Sequence, residues 1–276
     1  MKRILFIVVF AIAFLFTYGQ RATVSNYWKS YEVQAEIGQP LDGSEILHGN
    51  VIPYKAATLI DEDEIGETWY DKQSNRAVAN RVYRYTDGTM AGVWTYGINA
   101  TGFDDRGAGY NYYDGNAWGE WATSRIETVK CGWPVYAPLG ENGEIVVSHN
   151  ASDALLINRR VEKGTGDWTE TTIQGPPGFE KITWPRVITE GVDNNIVHVL
   201  GQIRDYPASG EMTLGYYRSM DGGETWDILN EEIPGTGPDD YSELGADSYT
   251  FAEPRNGVIA FFVANLWCDA FIMKST

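Results

Sequence analysis

The sequence predicts an all-β protein, and within that class a β-propeller built from four-stranded blades. Three observations lead to this prediction. A unit of short strands and tight turns recurs, with turn residues at positions 88, 143, 194 and 257, 51 to 63 residues apart, and a propeller blade takes roughly 40 to 50 residues. The strands follow one another without helical periodicity. Aromatic residues make up 13% of the chain, which also contains 30 glycines, a composition typical of short strands joined by tight turns.

The chain begins with the features of a secretory signal peptide. Lys2-Arg3 precede an unbroken apolar run of 13 residues, Ile4–Phe16, and a small residue follows at Gly19. This order predicts cleavage close to that glycine, whereas a membrane-spanning helix needs about 20 apolar residues. We therefore expect residues 1–20 to be a signal peptide. The mature chain, 21–276, is expected to be secreted to the medium or the cell surface rather than retained in the periplasm, with no membrane span.

The composition narrows the classes of partner. The formal net charge is −17 at pH 7, and such a chain repels the phosphate backbone of nucleic acids. Cys131 and Cys268 do not make a disulfide framework in a chain of 276 residues, and we expect both to be free, buried thiols. The histidines at 48, 149 and 198 lack the spacing of metal ligands, so no metal or other cofactor is expected.

Taken in order, the first elements are weakly marked. Tyr31–Ile37 is consistent with a strand, Asp61–Glu64 with a solvated loop, and Ile65–Asp71 is predicted to be a strand. The repeating unit follows: a strand, a turn, an apolar strand, a loop, an aromatic strand and an acidic turn. Its predicted strands are 80–85, 90–96 and 109–113; 133–139, 144–149 and 154–161; 184–189, 195–202 and 214–218; 248–252, 258–265 and 269–275.

The acidic turn is most complete where the chain reads Ser-Met-Asp-Gly-Gly-Glu-Thr-Trp, ending at position 226. Glycine supplies the positive φ of a tight turn, and the aspartate can accept backbone N–H groups of the loop. Five residues match the Asp-box, or BNR repeat: Ser219, Asp221, Gly223, Thr225 and Trp226. On this match the chain resembles the sialidase-like β-propellers. In that family the repeat lies away from the catalytic face, so we expect a structural role for these residues.

The end of the chain resembles the beginning of the same turn. Met273–Thr276 aligns with Tyr217–Met220, so the sequence stops one residue before the position of Asp221. The resemblance implies six or seven blades, whereas the sequence contains three complete units and part of a fourth. We expect 21–276 to be a partial propeller, truncated within a repeat, with unpaired strand edges, and a monomer when complete. Exported bacterial proteins of this appearance often resemble type IX secretion cargo, with a sorting domain further along.

Catalytic residues are not marked in this sequence. The resemblance to sialidases implies an arginine triad that grips a carboxylate, an acidic Asp and a Tyr–Glu nucleophile pair. The family's Phe/Tyr-Arg-Ile-Pro motif is absent, and neither Trp184–Val187 nor Arg125–Glu127 fits it. Arg81, Arg106 and Arg186 stand at strand starts or in loops. They are placed either to face a central cleft or to pair with surface acids, and the net charge favours the pairing.

Four residues are predicted to contact a ligand: Arg106, Trp133, Trp184 and Arg186. The two tryptophans begin corresponding strands, where exposed rings stack on sugars and buried rings pack the blade; packing is the commoner fate. The loop Phe103–Gly107 contains paired acids, which indicate either a ligand-contacting or calcium-binding loop or an ordinary acidic turn. We favour the acidic turn, and calcium is the weaker alternative.

Together these features favour a secreted, sialidase-like propeller that acts as a binding module for glycans or surface proteins, without assignable catalysis. The alternative is an exo-glycosidase of sialidase type, whose catalytic residues have diverged or lie in the missing blades. Turnover of fluorogenic sialosides and related glycosides distinguishes the two, because only the second function releases the fluorophore.

Overall fold

The computed structural model describes residues 62–74, 79–150, 154–204, 212–241, 244–265 and 270–275. All of them belong to one unit, Glu62–Thr276, and the regular structure of these ranges is entirely β. Sheet 1 contains β1 (Val82–Arg84), β2 (Met90–Tyr96) and β3 (Gly107–Tyr113); sheet 2 contains β4 (Cys131–Leu139), β5 (Gly143–Asn150), β6 (Ala154–Arg160) and β7 (Thr169–Gln174). Sheet 3 contains β8 (Ile182–Glu190), β9 (Ile196–Ile203), β10 (Thr213–Ser219) and β11 (Ile228–Glu232); sheet 4 contains β12 (Tyr249–Phe251), β13 (Ala260–Val263) and β14 (Phe271–Lys274).

Each sheet is an antiparallel meander in which consecutive strands pair in chain order. The first strands of neighbouring sheets pack against one another: β1 on β4, β4 on β8, and β8 on β12. Successive meanders whose first strands face a shared axis are the blades of a β-propeller. The predicted fold class is therefore confirmed.

The core lies between consecutive sheets. Strands β5 and β9 are buried along almost their whole length, as expected for short, continuous apolar runs. Ile145 and Val199 help to fill the space between sheets 2 and 3, and Leu214 and Val263 the space between sheets 3 and 4. Each sheet thus covers a face of the next, and this packing fixes the direction of side chains at the strand ends.

Most predicted strands are confirmed to within a few residues, and β2 coincides with the predicted range 90–96. The strand predicted at Ile65–Asp71 is wrong, because this segment is not a strand in the structure. It lies against β2 through isolated hydrogen bonds instead of a ladder. The Thr68 hydroxyl donates to the Thr95 carbonyl at 3.0 Å, and the Trp69 N–H donates to the Gly97 carbonyl at 2.8 Å.

Several expectations fall on residues that the structure does not describe. The signal peptide at 1–20, the strand predicted at 31–37 and Cys268 lie outside the described ranges. Cys131 is buried and is not in a disulfide. In the part of the chain that is described, no helix has the length and apolar character needed to cross a membrane.

The acidic turn joins β10 to β11 and is held by its own side chains. Asp221 Oδ1 accepts the backbone N–H of Thr225 at 2.8 Å, and Oδ2 accepts the Thr225 hydroxyl at 2.5 Å. Ser219 Oγ accepts the N–H of Gly223, whose φ is 86°, at 2.7 Å. Hydrogen bonds, that of the Thr225 hydroxyl first, lower the pKa of Asp221 to about 2. Trp226 packs on the core between sheets 2 and 3, at the end where β4 and β8 finish.

Candidate functional site

Two tryptophans lie in equivalent positions near the start of the inner strands of sheets 2 and 3. Trp133 in β4 and Trp184 in β8 are each followed by proline, and the register with the next strand shifts at both places. The backbone φ is 52° at Trp133 and 57° at Trp184. This left-handed region is uncommon for bulky residues and costs on the order of 1–3 kcal/mol. Both bulges therefore hold strain that surrounding contacts must offset.

Neighbouring groups hold the two bulges in place. The Trp133 N–H donates to Thr95 Oγ1 at 3.1 Å, and the Trp184 N–H donates to His149 Nδ1 at 3.3 Å. The Trp133 indole N–H donates to the Lys72 carbonyl at 3.2 Å. Both tryptophans remain partly exposed. The Trp133 ring is thus fixed in direction by its indole hydrogen bond, and the Trp184 side chain packs against the core between sheets 3 and 4.

His149 lies against both tryptophans. Its ring stacks on Trp133 with centroids 5.2 Å apart and planes 10° from parallel, and it meets Trp184 edge-on at 4.6 Å. Burial first, and then the charge of nearby arginines led by Arg106, lower the pKa of His149 to about 3. His149 is therefore neutral at neutral pH. Because Nδ1 accepts a hydrogen bond, we assign the ring proton to Nε2.

Arg106 extends the aromatic group. Its guanidinium lies 4.8 Å from the Trp133 ring centroid and 5.1 Å from that of Tyr70, within the range of cation–π attraction. Arg106 Nε donates to the Cys131 carbonyl at 2.8 Å, and the side chain is partly exposed. We call the following five residues the Trp133–Trp184 cluster: Tyr70, Arg106, Trp133, His149 and Trp184.

Arg186 adjoins the cluster and supports the Trp184 bulge. It is 8% exposed, and its Nη1 donates to the Pro185 carbonyl at 2.8 Å while Nη2 donates to the Ala246 carbonyl. Its guanidinium lies 5.1 Å from the ring of Tyr249, whose hydroxyl donates to the Trp184 carbonyl at 2.6 Å. These bonds occupy Arg186 with the backbone of the bulge, so it positions the cluster.

Arg81 approaches the same region from sheet 1. Its Nη1 donates to Gln73 Oε1 at 2.8 Å. Gln73 in turn donates to the carbonyl of Tyr70, a member of the cluster, at 2.7 Å. Burial, followed by the charge of Arg186, lowers the pKa of Arg81 to about 10. Among the described residues, no salt bridge involves Arg81, Arg106 or Arg186. The structure therefore differs from the expectation that they pair with surface acids, and neutral acceptors hold them instead.

The acids of the Phe103–Gly107 loop serve the loop itself. Asp105 Oδ2 accepts the N–H of Ile98 at 2.7 Å, and Asp104 forms a salt bridge of 3.3 Å with Lys130. Within the described ranges, no group of three or more His, Cys, Asp or Glu side chains is arranged to hold a metal ion. These contacts are those of an acidic turn with its own counter-charge.

The structure brings the predicted ligand-contacting residues to one place. They are Arg106, Trp133, Trp184 and Arg186. Two members of the cluster, Tyr70 and His149, were not predicted. His149 lies six residues after the turn position 143, and this even spacing predicts which face of the strand carries its side chain. The spacing does not predict which residues that side chain contacts, so only the structure reveals the stacking on Trp133.

No protein-family model matches this chain, and no curated protein matches it significantly. Solved structures do, among them a protein of unknown function from Dyadobacter fermentans, at 13% identity and a TM-score of 0.46, covering 72% of this chain and 68% of that chain. Trypanosoma rangeli sialidase in complex with 2,3-difluorosialic acid matches at 15% identity and a TM-score of 0.46, covering 78% of this chain and 40% of that chain. Bacteroides ovatus xyloglucan PUL GH43B matches at 12% identity and a TM-score of 0.44, covering 74% of this chain and 41% of that chain. This chain spans less than half the length of the last two. Identities and TM-scores this low say nothing about what this chain binds.

Proposed function

We propose that this chain is part of a secreted, sialidase-like β-propeller that acts as a binding module and contacts glycans at the Trp133–Trp184 cluster. The observation that supports this most is the pair of partly exposed tryptophans at equivalent bulges, with Arg106 against one of them. Backbone strain persists where surrounding structure fixes it, and such positions concentrate at ligand-contacting sites.

The chemistry of the cluster suits a sugar ring. Aromatic faces present a rigid apolar surface with a polar edge, which complements the apolar face and the hydroxyl rim of a pyranose. The planar guanidinium of Arg106 offers donors to hydroxyl or carboxylate oxygens. Neutral His149 supports the tryptophan rings from within without adding charge. We propose that a glycan stacks on the exposed part of these rings and accepts hydrogen bonds from Arg106.

Substitution of the tryptophans tests the proposal. We expect Trp133→Ala and Trp184→Ala each to weaken, by about tenfold, the affinity for a glycan selected on an array, because each removes an anchor residue contributing roughly 1.4 kcal/mol. Isothermal titration calorimetry measures the change. Trp121→Ala is the matched control, since Trp121 is 42% exposed in the segment between β3 and β4 and its indole bonds to the Glu64 carbonyl. Unchanged affinity in both cluster variants contradicts the proposal.

A sialidase-type exo-glycosidase is the second candidate. The approach of Arg81, Arg106 and Arg186 to one region favours it, because a trio of arginines suits a carboxylate-bearing sugar. The Trp133–Trp184 cluster itself contains no carboxylate to protonate a leaving group, and this favours the binding module. Release of fluorophore from fluorogenic sialosides by the wild-type chain supports the enzyme. Retained glycan binding with no turnover supports the binding module.

Export is part of the proposal and rests on residues 1–20. A basic start, an apolar run and a small residue are the features that a signal peptidase recognises. We expect the protein recovered from the culture medium or cell surface to begin close to residue 21, and intact-mass spectrometry of that material measures its first residue. Recovery of the chain from the cytoplasm with residues 1–20 attached contradicts export. A variant with a charged residue inside the apolar run is the control.

A further inference from the structure

A second site lies at the other end of the inner strands. A cavity of about 730 Å³ opens where β4 and β8 finish, and residues from all four sheets line it. Its volume is within the range of small-molecule sites, roughly 300–1,000 Å³. The lining residues nearest to the tryptophans along β4 and β8 are Tyr136 and Val187, each three residues from Trp133 or Trp184, which is about 10 Å along a strand. None of the five residues of the Trp133–Trp184 cluster lines the cavity. The cavity is therefore separate from the Trp133–Trp184 cluster.

The lining of this cavity is negative. Two carboxylates, Glu190 and Glu253, belong to it, and its described lining contains neither lysine nor arginine. The remaining polar groups include side-chain amides such as Asn80 and Asn194, and the walls include the aromatic residues Tyr83 and Phe251. Carboxylates beside aromatic faces are the groups that attract an organic cation, by charge and by cation–π contact.

A neutral histidine holds Glu190 in position. Glu190 Oε1 is 3.2 Å from His198 Nε2, and His198 Nδ1 is 2.7 Å from the Tyr216 hydroxyl. Burial, the largest influence, lowers the pKa of His198, while the charge of Glu190 acts in the opposite sense. A neutral His198 donates to Glu190 and accepts from Tyr216. The carboxylate is thereby oriented while its charge stays uncompensated by this partner.

Glu253 follows β12 of sheet 4 and lines the same cavity as Tyr83 of sheet 1. Burial, followed by the charge of Glu253, raises the pKa of Tyr83, and the charge of Lys163 acts in the opposite sense. Tyr83 is 38% exposed, so part of its ring is accessible. Arg255 lies 3.6 Å from Glu253 with both side chains 81% exposed, and such an exposed pair is weak and readily separated. A cation in the cavity can therefore compete for Glu253.

We propose that this cavity binds an organic cation, a primary amine or guanidinium on a short aliphatic stem, between Glu190 and Glu253. The stem lies against the apolar wall and Tyr83, and the charged head faces the carboxylates. This inference is independent of the glycan-binding proposal. The same head group occurs in free small amines and in lysine or arginine side chains of a protein, and the experiment separates these sources.

Calorimetric titration of the full chain with agmatine tests the site. We expect binding that weakens with added salt, no binding of the uncharged analogue n-butylurea, and a loss of about fivefold to tenfold in Glu253→Gln and in Glu190→Gln. Glu231→Gln, an exposed position on β11 outside the lining, is the control and keeps full affinity. Glu253 is exposed, so its variant folds even where Glu190→Gln does not.

The outcomes decide whether the site exists and whether its cation is a free small molecule or a protein side chain. Tighter binding of agmatine than of an acetylated, amidated Gly-Arg-Gly peptide assigns free small cations, and the reverse order assigns a protein side chain; either supports the site. No binding of agmatine or of the peptide overturns the proposal. Equal affinity of agmatine for the wild type and Glu253→Gln overturns it as well, as does equal binding of n-butylurea.

Discussion

The backbone conformation of Trp133 and Trp184 is the most informative feature at the scale of single residues. A left-handed φ is costly for a tryptophan, and the same departure occurs at equivalent places in two sheets. Each bulge aims an aromatic ring out of the strand, and His149 lies in contact with both rings. A buried imidazole thus contacts both bulges: its Nδ1 accepts the Trp184 N–H, and its ring stacks on Trp133.

This support predicts a pH dependence of stability centred on His149. Its pKa in the folded chain is about 3, below the ordinary value of 6.5, so the unfolded chain binds the proton first and protonation favours unfolding. The stabilisation is complete above pH 6.5 and is lost as the pH falls toward 3. Between pH 7 and pH 5 we expect the free energy of unfolding to fall by about 2 kcal/mol from this group alone.

Urea unfolding of the wild type and of His149→Asn at both pH values measures the effect. Asparagine keeps an oxygen that can accept the Trp184 N–H and has no titration in this range. The variant should therefore be less stable at pH 7 and should lose less stability on acidification. An equal loss in both proteins shows that other groups carry the pH dependence.

The sequence predicted ligand contact at two tryptophans at corresponding strand starts and at Arg106 and Arg186, and these four side chains lie in one region of the structure. Tyr70 and His149, which also belong to this region, were not predicted. The sequence could not distinguish the roles of the arginines. Arg106 is partly exposed and lies against the rings of Tyr70 and Trp133. Arg186 instead donates its hydrogen bonds to the carbonyls of Pro185 and Ala246. The different roles of the two arginines depend on which backbone carbonyls the bulge points toward them. Residue spacing in the sequence does not predict where a bulge occurs.

At the scale of elements, corresponding turns of sheets 2 and 3 are stabilised by different means. The turn of sheet 3 is held within itself by Asp221. In sheet 2 the turn is anchored from the strands: buried Glu144 accepts from Arg160 Nε at 2.5 Å, from the Tyr110 hydroxyl at 3.0 Å and from the Gly164 N–H at 3.2 Å. The turn of sheet 2 is thus held by a buried ion pair between Glu144 and Arg160.

A double-mutant cycle on Glu144 and Arg160 tests whether this buried ion pair anchors the turn of sheet 2. Either single change, Glu144→Gln or Arg160→Met, leaves a buried charge unpaired, and we expect each to cost about 3 kcal/mol or more. The double variant removes both charges and should cost clearly less than the sum. Strict additivity of the two costs contradicts a coupled anchor. Urea unfolding supplies the three free energies.

The control for this cycle is the pair Arg218–Asp227 beside the turn of sheet 3. Its side chains are 36% and 41% exposed and its shortest contact is 2.5 Å. Because solvent screens an exposed pair, Asp227→Asn should cost less than about 1 kcal/mol. A cost equal to that of Glu144→Gln shows that burial is not what separates the two pairs.

Strands that pack against other sheets on both faces consist of apolar or aromatic runs, and such runs could be recognised in the sequence. Strand β7 was not predicted, since Thr169–Gln174 is polar and forms the outer strand of sheet 2 with one buried side chain. The strand wrongly predicted at Ile65–Asp71 fails for the complementary reason. Its aromatic residues suit a strand, but Trp69 is 62% exposed, and β2 already pairs with β1 and β3.

At the scale of the whole molecule, the ends of the inner strands differ in charge. Arg106 and Arg186 bond to carbonyls near the start of β4 and β8, and Arg81 bonds to Gln73 beside them. Glu190 and Glu253 line the cavity where β4 and β8 finish. A cleft lined by one sign of charge concentrates ligands of the other sign. The repeat was enough to predict the propeller. The net charge of −17 does not reveal the difference between the two ends, because that difference depends on which strand ends come together in the folded chain.

The same architecture predicts the order in which the backbone opens. Strands β5 and β9 have neighbours on both sides within their sheets and are buried between sheets. Strands β1 and β14 each lie at a sheet edge, and their side chains are exposed or partly exposed. Local opening should therefore expose β1 and β14 without disturbing the core, at a free energy lower by about 3 kcal/mol. Native-state hydrogen exchange should then show amides of β5 and β9 exchanging at least about 100-fold more slowly than those of β1 and β14. Equal exchange in all four strands contradicts this order, because it would mean that β1 and β14 open only when the whole molecule unfolds.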